Sequence, residues 1–326
     1  MPPRLARLLA ILAALALVIG AFVLRGALAG DDDAGGEETA ATGDGPSPGG
    51  GSYRVACDED LGDAACEAIG DLAGVRSVEI LAATEAVAAM AGDDVPYDAW
   101  VTLDPWPAIL DVERSEATEE PIVSGEPVPV ASSGVALLTY ETRGIECPDP
   151  ATWGCLVEQA PTVGIGVPAL DTAAGTLILG HAADGLIDRS DFGYADIVDT
   201  DVAGQLQDLL DSGVPRPTAA QARTSLQPGN YRAVVTVAGL ARRLAASPQG
   251  KRSGAVVTAL DPAATIGVVL APIGRNGEAA VERLKGGVTG QTVSRALDEA
   301  GWTGKAKASA GLPAFDVLYR LKGFDS

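Results

Sequence analysis

One histidine, four cysteines and 44 carboxylates set the chemistry open to this 326-residue chain. His181 would have to be the base of any Ser-His-Asp or Cys-His hydrolase, and no Gly-x-Ser-x-Gly elbow accompanies it. It falls in an apolar stretch that reads as a helix, where a lone histidine is structural. The cysteines form two close pairs, Cys57 with Cys66 and Cys147 with Cys155. An N-terminal export segment implies an oxidising compartment, so two local disulfides are the simplest reading. Closing each loop of about ten residues contributes somewhat under ~3 kcal/mol in the chain-entropy model. A metal site is the competing reading, with spacings too long for Cys-x-x-Cys and with His181 far from both pairs. Gly164-Ile165-Gly166 lacks the remainder of a dinucleotide or Walker pattern. No carboxylate pair stands out as a glycosidase couple. The expectation is a protein with no catalytic residues, no metal and no cofactor.

The elements that would position other side chains alternate between strand and helix. Strands are expected at 53–60, 77–83 and 98–104, with helices at 61–74 and 84–92 between them. That order predicts a parallel α/β sheet. The run 127–140 is long and extended, with Ala-Ser-Ser-Gly at its middle in place of a reversing turn, and reads as a crossing strand. A second α/β unit follows: a short helix at 150–158, a buried strand at 162–168, and a helix at 172–185 with Leu177, Ile178 and Leu179 inward. Helices are then expected at 203–213 and 218–225, and a strand runs into a helix over 231–246. Two strands broken at Asp261-Pro262 fill 254–274 and suggest a return crossing. Two amphipathic helices close the chain at 277–302, separated by Gly286-Gly287.

The first fifty residues decide location. Leu8 to Leu24 is free of charge, with Arg4 and Arg7 before it and Arg25 and then Asp31, Asp32 and Asp33 after it. This pattern directs everything beyond residue 30 to the outer face of the membrane. Its seventeen residues would extend roughly 25 Å as a hydrophobic helix, short of a ~30 Å hydrocarbon core but enough for a short span. Residues 1–29 are thus a signal anchor, or a signal peptide cleaved after Ala29 in the small-x-small stretch Ala27-Leu28-Ala29. Residues 30–52 hold no large apolar side chain and read as a disordered tether. The formal charge of -21 opposes capture of nucleic acid or anionic lipid.

The order of pieces in the body resembles the type 2 periplasmic solute-binding proteins. It is similar in particular to the extracellular substrate-binding proteins of Gram-positive bacteria related to those linked to von Willebrand A domains. The resemblance spans about residues 53–302 and rests on three passages: DAWVTLDPWPAIL (98–110), a strand into an aromatic-tipped loop; TVGIGVPALDTAAGTLIL (162–179), a strand leading to a helix; and AAVERLKGGVTGQTVSRALDEAGW (279–302), a terminal helix pair. It implies a two-lobed α/β fold with two crossing strands, preceded by the N-terminal hydrophobic helix. Lobe 1 would comprise 53–130 and 273–326, and lobe 2 would comprise 131–272 with the hinge crossings. It further implies a small ligand of unstated class held between the lobes, and a membrane transporter or cell-surface complex as partner. The alternative is a bilobal protein-interaction domain of a membrane complex that has lost its ligand.

In open α/β sheets, ligands bind beyond the carboxyl ends of strands, where helix N-termini offer free N–H groups. DTAAG (171–175) is such a place: Asp171 and Thr172 can cap, and Gly175 allows close approach, although a plain helix cap has the same composition. The corresponding loops of lobe 1 hold Asp58, Glu59 and Asp60, then Thr84 and Glu85, then Asp104 and Trp106. Anion-binding relatives carry Ser or Thr in the first two loops. The acidic residues here argue against an oxyanion and leave room for a cation, an amine or a sugar, with helix capping as the competing role. The resemblance also implies cleft positions for Ser132 and Ser133 in the first crossing, where Ser beside Gly134 equally suits a bend, and for Tyr231 and Thr236 at the end of the last strand of lobe 2, where a surface role is the equal alternative.

Overall fold

Strand β1 (Tyr53–Asp58) becomes fully buried over its last four residues, because it pairs in parallel with β2 (Val75–Leu81) on one side and β3 (Ala99–Leu103) on the other. The structure is a computed structural model and describes residues 52–140, 145–187, 189, 192–198, 201–212 and 233–324. The apolar N-terminal segment, the tether, the helix expected at 218–225 and Tyr231 lie outside the described residues. All five residues of β3 are buried, as a parallel strand covered on both faces requires. Helix α1 (Asp63–Gly70) follows β1 and is stapled to it by the Cys57–Cys66 disulfide. Helix α2 (Ala83–Met90) follows β2. Helix α3 (Trp106–Glu116) follows β3 where only a loop was expected. Pro107 sits in its first turn, where a missing N–H breaks no intrahelical bond.

The chain then enters β4 (Val128–Tyr140). Beyond it come β5 (Ala151–Thr152), α4 (Trp153–Gln159), β6 (Ile165–Gly166), α5 (Ala173–Ile187), α6 (Tyr194–Val198) and α7 (Val202–Leu210). The second disulfide, Cys147–Cys155, ties the segment before β5 to α4. Strand β7 (Ala233–Val237) runs directly into α8 (Ala238–Ala246), followed by α9 (Pro248–Arg252). Strands β8 (Ala255–Asp261) and β9 (Thr265–Pro272) precede α10 (Gly277–Val288), α11 (Gln291–Ala300) and α12 (Phe315–Leu321).

Pairing divides these strands into two halves that share β4. The first half has the order β2-β1-β3-β9-β4, with β9 antiparallel to both neighbours. The second has the order β6-β7-β4-β8-β5, with β4 antiparallel to β7 and β8. Residues 128–134 of β4 serve the first half and 135–140 the second. The architecture is the expected two-lobed α/β fold. Because β9 pairs with β3 over residues 268–272, the return crossing falls at 261–265, earlier than the lobe boundary expected after 272. Gly286 and Gly287 lie inside α10, and the break comes at Thr289–Gly290. The buried stripe Ala280, Val281, Leu284 and Val288 holds that helix together despite its glycines.

Helix α5 is buried all round from Ala173 to Ala183, as its uniformly apolar sequence demands. Helix α12, which was not expected, packs on α3 of one lobe and α5 of the other. One polar device secures the first lobe. Arg114, in the last turn of α3, is almost wholly buried and donates to the carbonyls of Met90 (2.9 Å), Ala91 (3.1 Å), Gly92 (2.6 Å) and Glu120 (2.7 Å). It thereby satisfies carbonyls at the C-terminus of α2 that no intrahelical donor reaches. Arg114→Ala should lower unfolding stability by about 3 kcal/mol, read from urea denaturation, since buried acceptors then lose a charged donor.

Candidate functional site

The carboxyl ends of β1, β2 and β3 face the N-terminus of α5 across a seam between the lobes. Thr84 donates to the Asp171 carbonyl from both Oγ1 (3.1 Å) and its backbone N (3.3 Å). Trp106 is fully buried, and its Nε1 donates to the Ala173 carbonyl at 3.3 Å. The Asp60 carboxylate accepts from the Ala174 backbone N at 2.7 Å, across the seam. A carboxylate from lobe 1 thus stands on the positive end of a lobe 2 helix. These four bonds contribute about 2 to 6 kcal/mol in sum at ordinary net values.

The loop DTAAG closes on itself and on Asp60. The Thr172 hydroxyl donates to the Ala169 carbonyl (2.7 Å) and accepts from Gly175 N (3.1 Å). Ala174 N and Gly175 N, in the first turn of α5, are thus occupied by the protein. Gly175 gives room to its own loop, since a Cβ there would come within 1.9 Å of the Ala169 carbonyl oxygen. The Asp171 side chain is exposed while its carbonyl serves Thr84.

The acidic residues of the lobe 1 loops likewise turn inward. Asp58 is wholly buried and accepts from Asp60 N (3.0 Å) and Thr102 Oγ1 (2.9 Å). Burial, and then the neighbouring charge of Asp60, push its carboxyl well above the usual range. Glu85 accepts from Ala82 N at 3.3 Å and so caps the start of α2. Asp104 accepts from Ser309 N at 2.7 Å, and its carbonyl accepts from the Ser309 hydroxyl at 2.5 Å. Asp58, Asp60, Glu85 and Asp104, expected as cleft acids, each accept a backbone N–H, which is the capping role the sequence also allowed.

The hydroxyls of the first crossing do reach an open space. Ser132 Oγ donates to the Lys305 carbonyl (2.7 Å), and the Ser132 carbonyl accepts from Gly304 N (2.7 Å). A Cβ at position 304 would lie 2.4 Å from Ser132 Oγ, so only glycine allows this approach. Thr265 and Ala310 exchange two backbone bonds, and Gly267 N donates to Ser309 Oγ. Residues 303–311 therefore form a strap laid over both crossing strands. Beneath it a pocket of about 430 Å³ is lined by Ser132, Ser133 and Gly134 of β4, Thr265 of β9, Thr303 to Lys305 and Lys307 of the strap, and Arg242 of α8. Ser133 Oγ accepts from Gly239 N at the start of α8 (3.1 Å). Thr236 is buried on β7 beside Ala136 of β4, away from the residues that line this pocket.

Sequence reading passed over Arg242, Lys305, Lys307 and the role of Asp60. The visible signal was Lys305-Ala-Lys307, two cations one residue apart in a chain where acids outnumber bases 44 to 23. Among the described residues, no group of three or more His, Cys, Asp or Glu is disposed to hold a metal ion.

His181 is buried near the turn between β8 and β9. Trp153 Nε1 donates to its Nδ1 (3.3 Å), so the ring proton sits on Nε2 and is donated to the Pro262 carbonyl (2.7 Å). Both ring nitrogens are occupied, as a structural histidine requires.

No family model and no curated protein matches the chain. Solved structures do match in fold. A periplasmic thiamin binding protein aligns with a TM-score of 0.54 at 14% identity, covering 80% of this chain and 85% of that one. A spermidine/putrescine ABC transporter protein of Listeria monocytogenes gives 0.56 at 10% identity, covering 77% and 82%. The periplasmic binding protein AfuA of Actinobacillus pleuropneumoniae, with fructose-6-phosphate bound, gives 0.52 at 10% identity, covering 83% and 93%. The fold is that of the periplasmic binding proteins. Identities this low carry the fold and leave the ligand to be argued from the site.

Burial lowers the His181 pKa from 6.5 to about 4. The fold favours the neutral ring, so its contribution is complete above pH 6.5 and is lost as the pH falls from 6.5 through about 4, up to about 3 kcal/mol. His181 is the only histidine, so its ring resonances in an NMR titration are unambiguous. They should stay at the neutral position down to pH 5, and a midpoint near 6.5 would show an accessible, unbonded ring.

Proposed function

We propose that the chain is an extracytoplasmic solute-binding protein that closes two lobes over a small ligand and presents it to a membrane transporter or sensor. One observation carries this reading: a pocket at the crossing strands is lined from both lobes. The solved structures of the same fold are binding proteins by title, for ligands as different as thiamin and a sugar phosphate. That range supports a binding role without selecting a ligand.

The charge pattern about Leu8 to Leu24 supports export, with the body held at the outer membrane face by a signal anchor or released after Ala29. The polar stretch 30–52 would then act as the tether, in keeping with a Gram-positive-type cell surface. Both disulfides suit that oxidising side. Among the described residues no helix is long and apolar enough to cross a membrane.

The test is a thermal-shift screen of the full chain against ions, sugars, amino acids, polyamines and organic acids. A true ligand at a hundred times its Kd adds about 2.7 kcal/mol, which raises the midpoint by about 5 °C or more. A flat response across the panel would remove the binding reading and favour a bilobal interaction domain.

A further inference from the structure

Three cations meet at the pocket under the strap without an ion-pair partner. Arg242, Lys305 and Lys307 form no salt bridge among the described residues, and no carboxylate lines the pocket with them. In a chain of formal charge -21, uncompensated positive charge in one cavity is contrary to the average field. Resting on the solute-binding reading above, we propose that the ligand is a small oxyanion, free phosphate or a phosphate monoester, held between Arg242 of α8 and Lys305 and Lys307 of the strap.

The surrounding groups fit that chemistry. Lys305 and Lys307 lie on either side of a bend at Ala306, and both line the pocket. The Ser132 bonds and the glycine contact at 304 fix the strap backbone that carries them. Ser133 uses its oxygen as acceptor for Gly239 N, which leaves its O–H proton to donate to a ligand. Thr265 and Thr303 supply further hydroxyls at the wall. The guanidinium of Arg242 can take two oxygens of a tetrahedral anion at once, and the lysines add charge. An amine ligand would meet three like charges and no acceptor carboxylate, which disfavours polyamines. At about 430 Å³ the pocket is larger than a bare phosphate needs and accommodates a compact organic substituent.

Position in the fold links binding to closure. The strap is bonded to Ser132 of β4 and Thr265 and Gly267 of β9, whereas Arg242 belongs to the second lobe. An anion bridging the two would strengthen a contact already present, where Gly239 of α8 packs against Gly301 and Arg243 donates to the Glu299 carbonyl.

Isothermal titration of the full chain tests this with four probes: inorganic phosphate, glucose 6-phosphate, glucose and putrescine. Saturable binding of one or both phosphates, weakening as salt rises, is expected. Arg242→Met and the double variant K305M/K307M should each weaken it at least tenfold with unchanged melting temperature, because these side chains are exposed and make no side-chain hydrogen bond or ion pair among the described residues. Glucose 6-phosphate binding in preference to phosphate would identify a monoester, and the reverse would identify the free ion. Phosphate binding that survives both variants overturns the assignment of the pocket. Binding of glucose or putrescine with no binding of either phosphate overturns the oxyanion class and leaves the solute-binding reading standing. Binding of none of the four, with the screen above also flat, removes both.

Discussion

Strand β4 must satisfy its backbone donors and acceptors in two sheets at once. Over residues 128–134 its antiparallel partner is β9, and over 135–140 it lies between β7 and β8. A strand shared in this way cannot slip by one residue without turning buried side chains of both lobes outward. The crossing residues Ser132, Ser133 and Gly134 are therefore held in register by two cores. This permits short polar side chains to sit there, each with a defined bond, to the Lys305 carbonyl or from Gly239 N. The hinge, the strap and the pocket all take their geometry from this strand.

The seam next to it is a self-occupied version of a helix-terminus anion site. Asp60 stands at α5 where a free anion would otherwise be drawn, and Thr84 and Trp106 reach carbonyls of the same loop. Closure in this state needs no ligand at α5. The cationic pocket is a separate place, lined by Ser132 to Gly134 of the crossing, where Arg242, Lys305 and Lys307 form no salt bridge among the described residues. The division is physically sensible: the helix end is neutralised by a built-in carboxylate, and the positive charge available to a ligand is moved to side chains.

Much of the fold was legible because its parts are locally consistent. The alternation of β1, α1, β2, α2 and β3, the extended β4 and the β8–β9 pair broken at Asp261-Pro262 all follow from periodicity and turn residues. Helix α3 was missed because Pro105 and Pro107 read as loop, although both fall at a helix start. Helix α12 was missed because its seven residues depend on contacts with α3 and α5 from distant parts of the chain. The site was less legible. Thr84, Trp106 and Thr172 do come together, but the acids expected beside them are internal caps, and exposure to a ligand cannot be told from capping by residue type. Arg242 is more than sixty positions from Lys305 and Lys307 in sequence and meets them only through the fold. Tyr231 lies outside the described residues.

A solute-binding role requires that the lobes move about the β4 and β8–β9 crossings. The direct measurement is the distance between labels at Glu282 of α10 and Asp208 of α7, both exposed, attached through unnatural amino acids and read by single-molecule energy transfer. The account predicts a dominant short-distance population and a minor long one, with Asp60→Ala enlarging the long population several-fold by removing the bond to Ala174. One unchanging distance in both proteins would contradict it and make the two lobes a single rigid body.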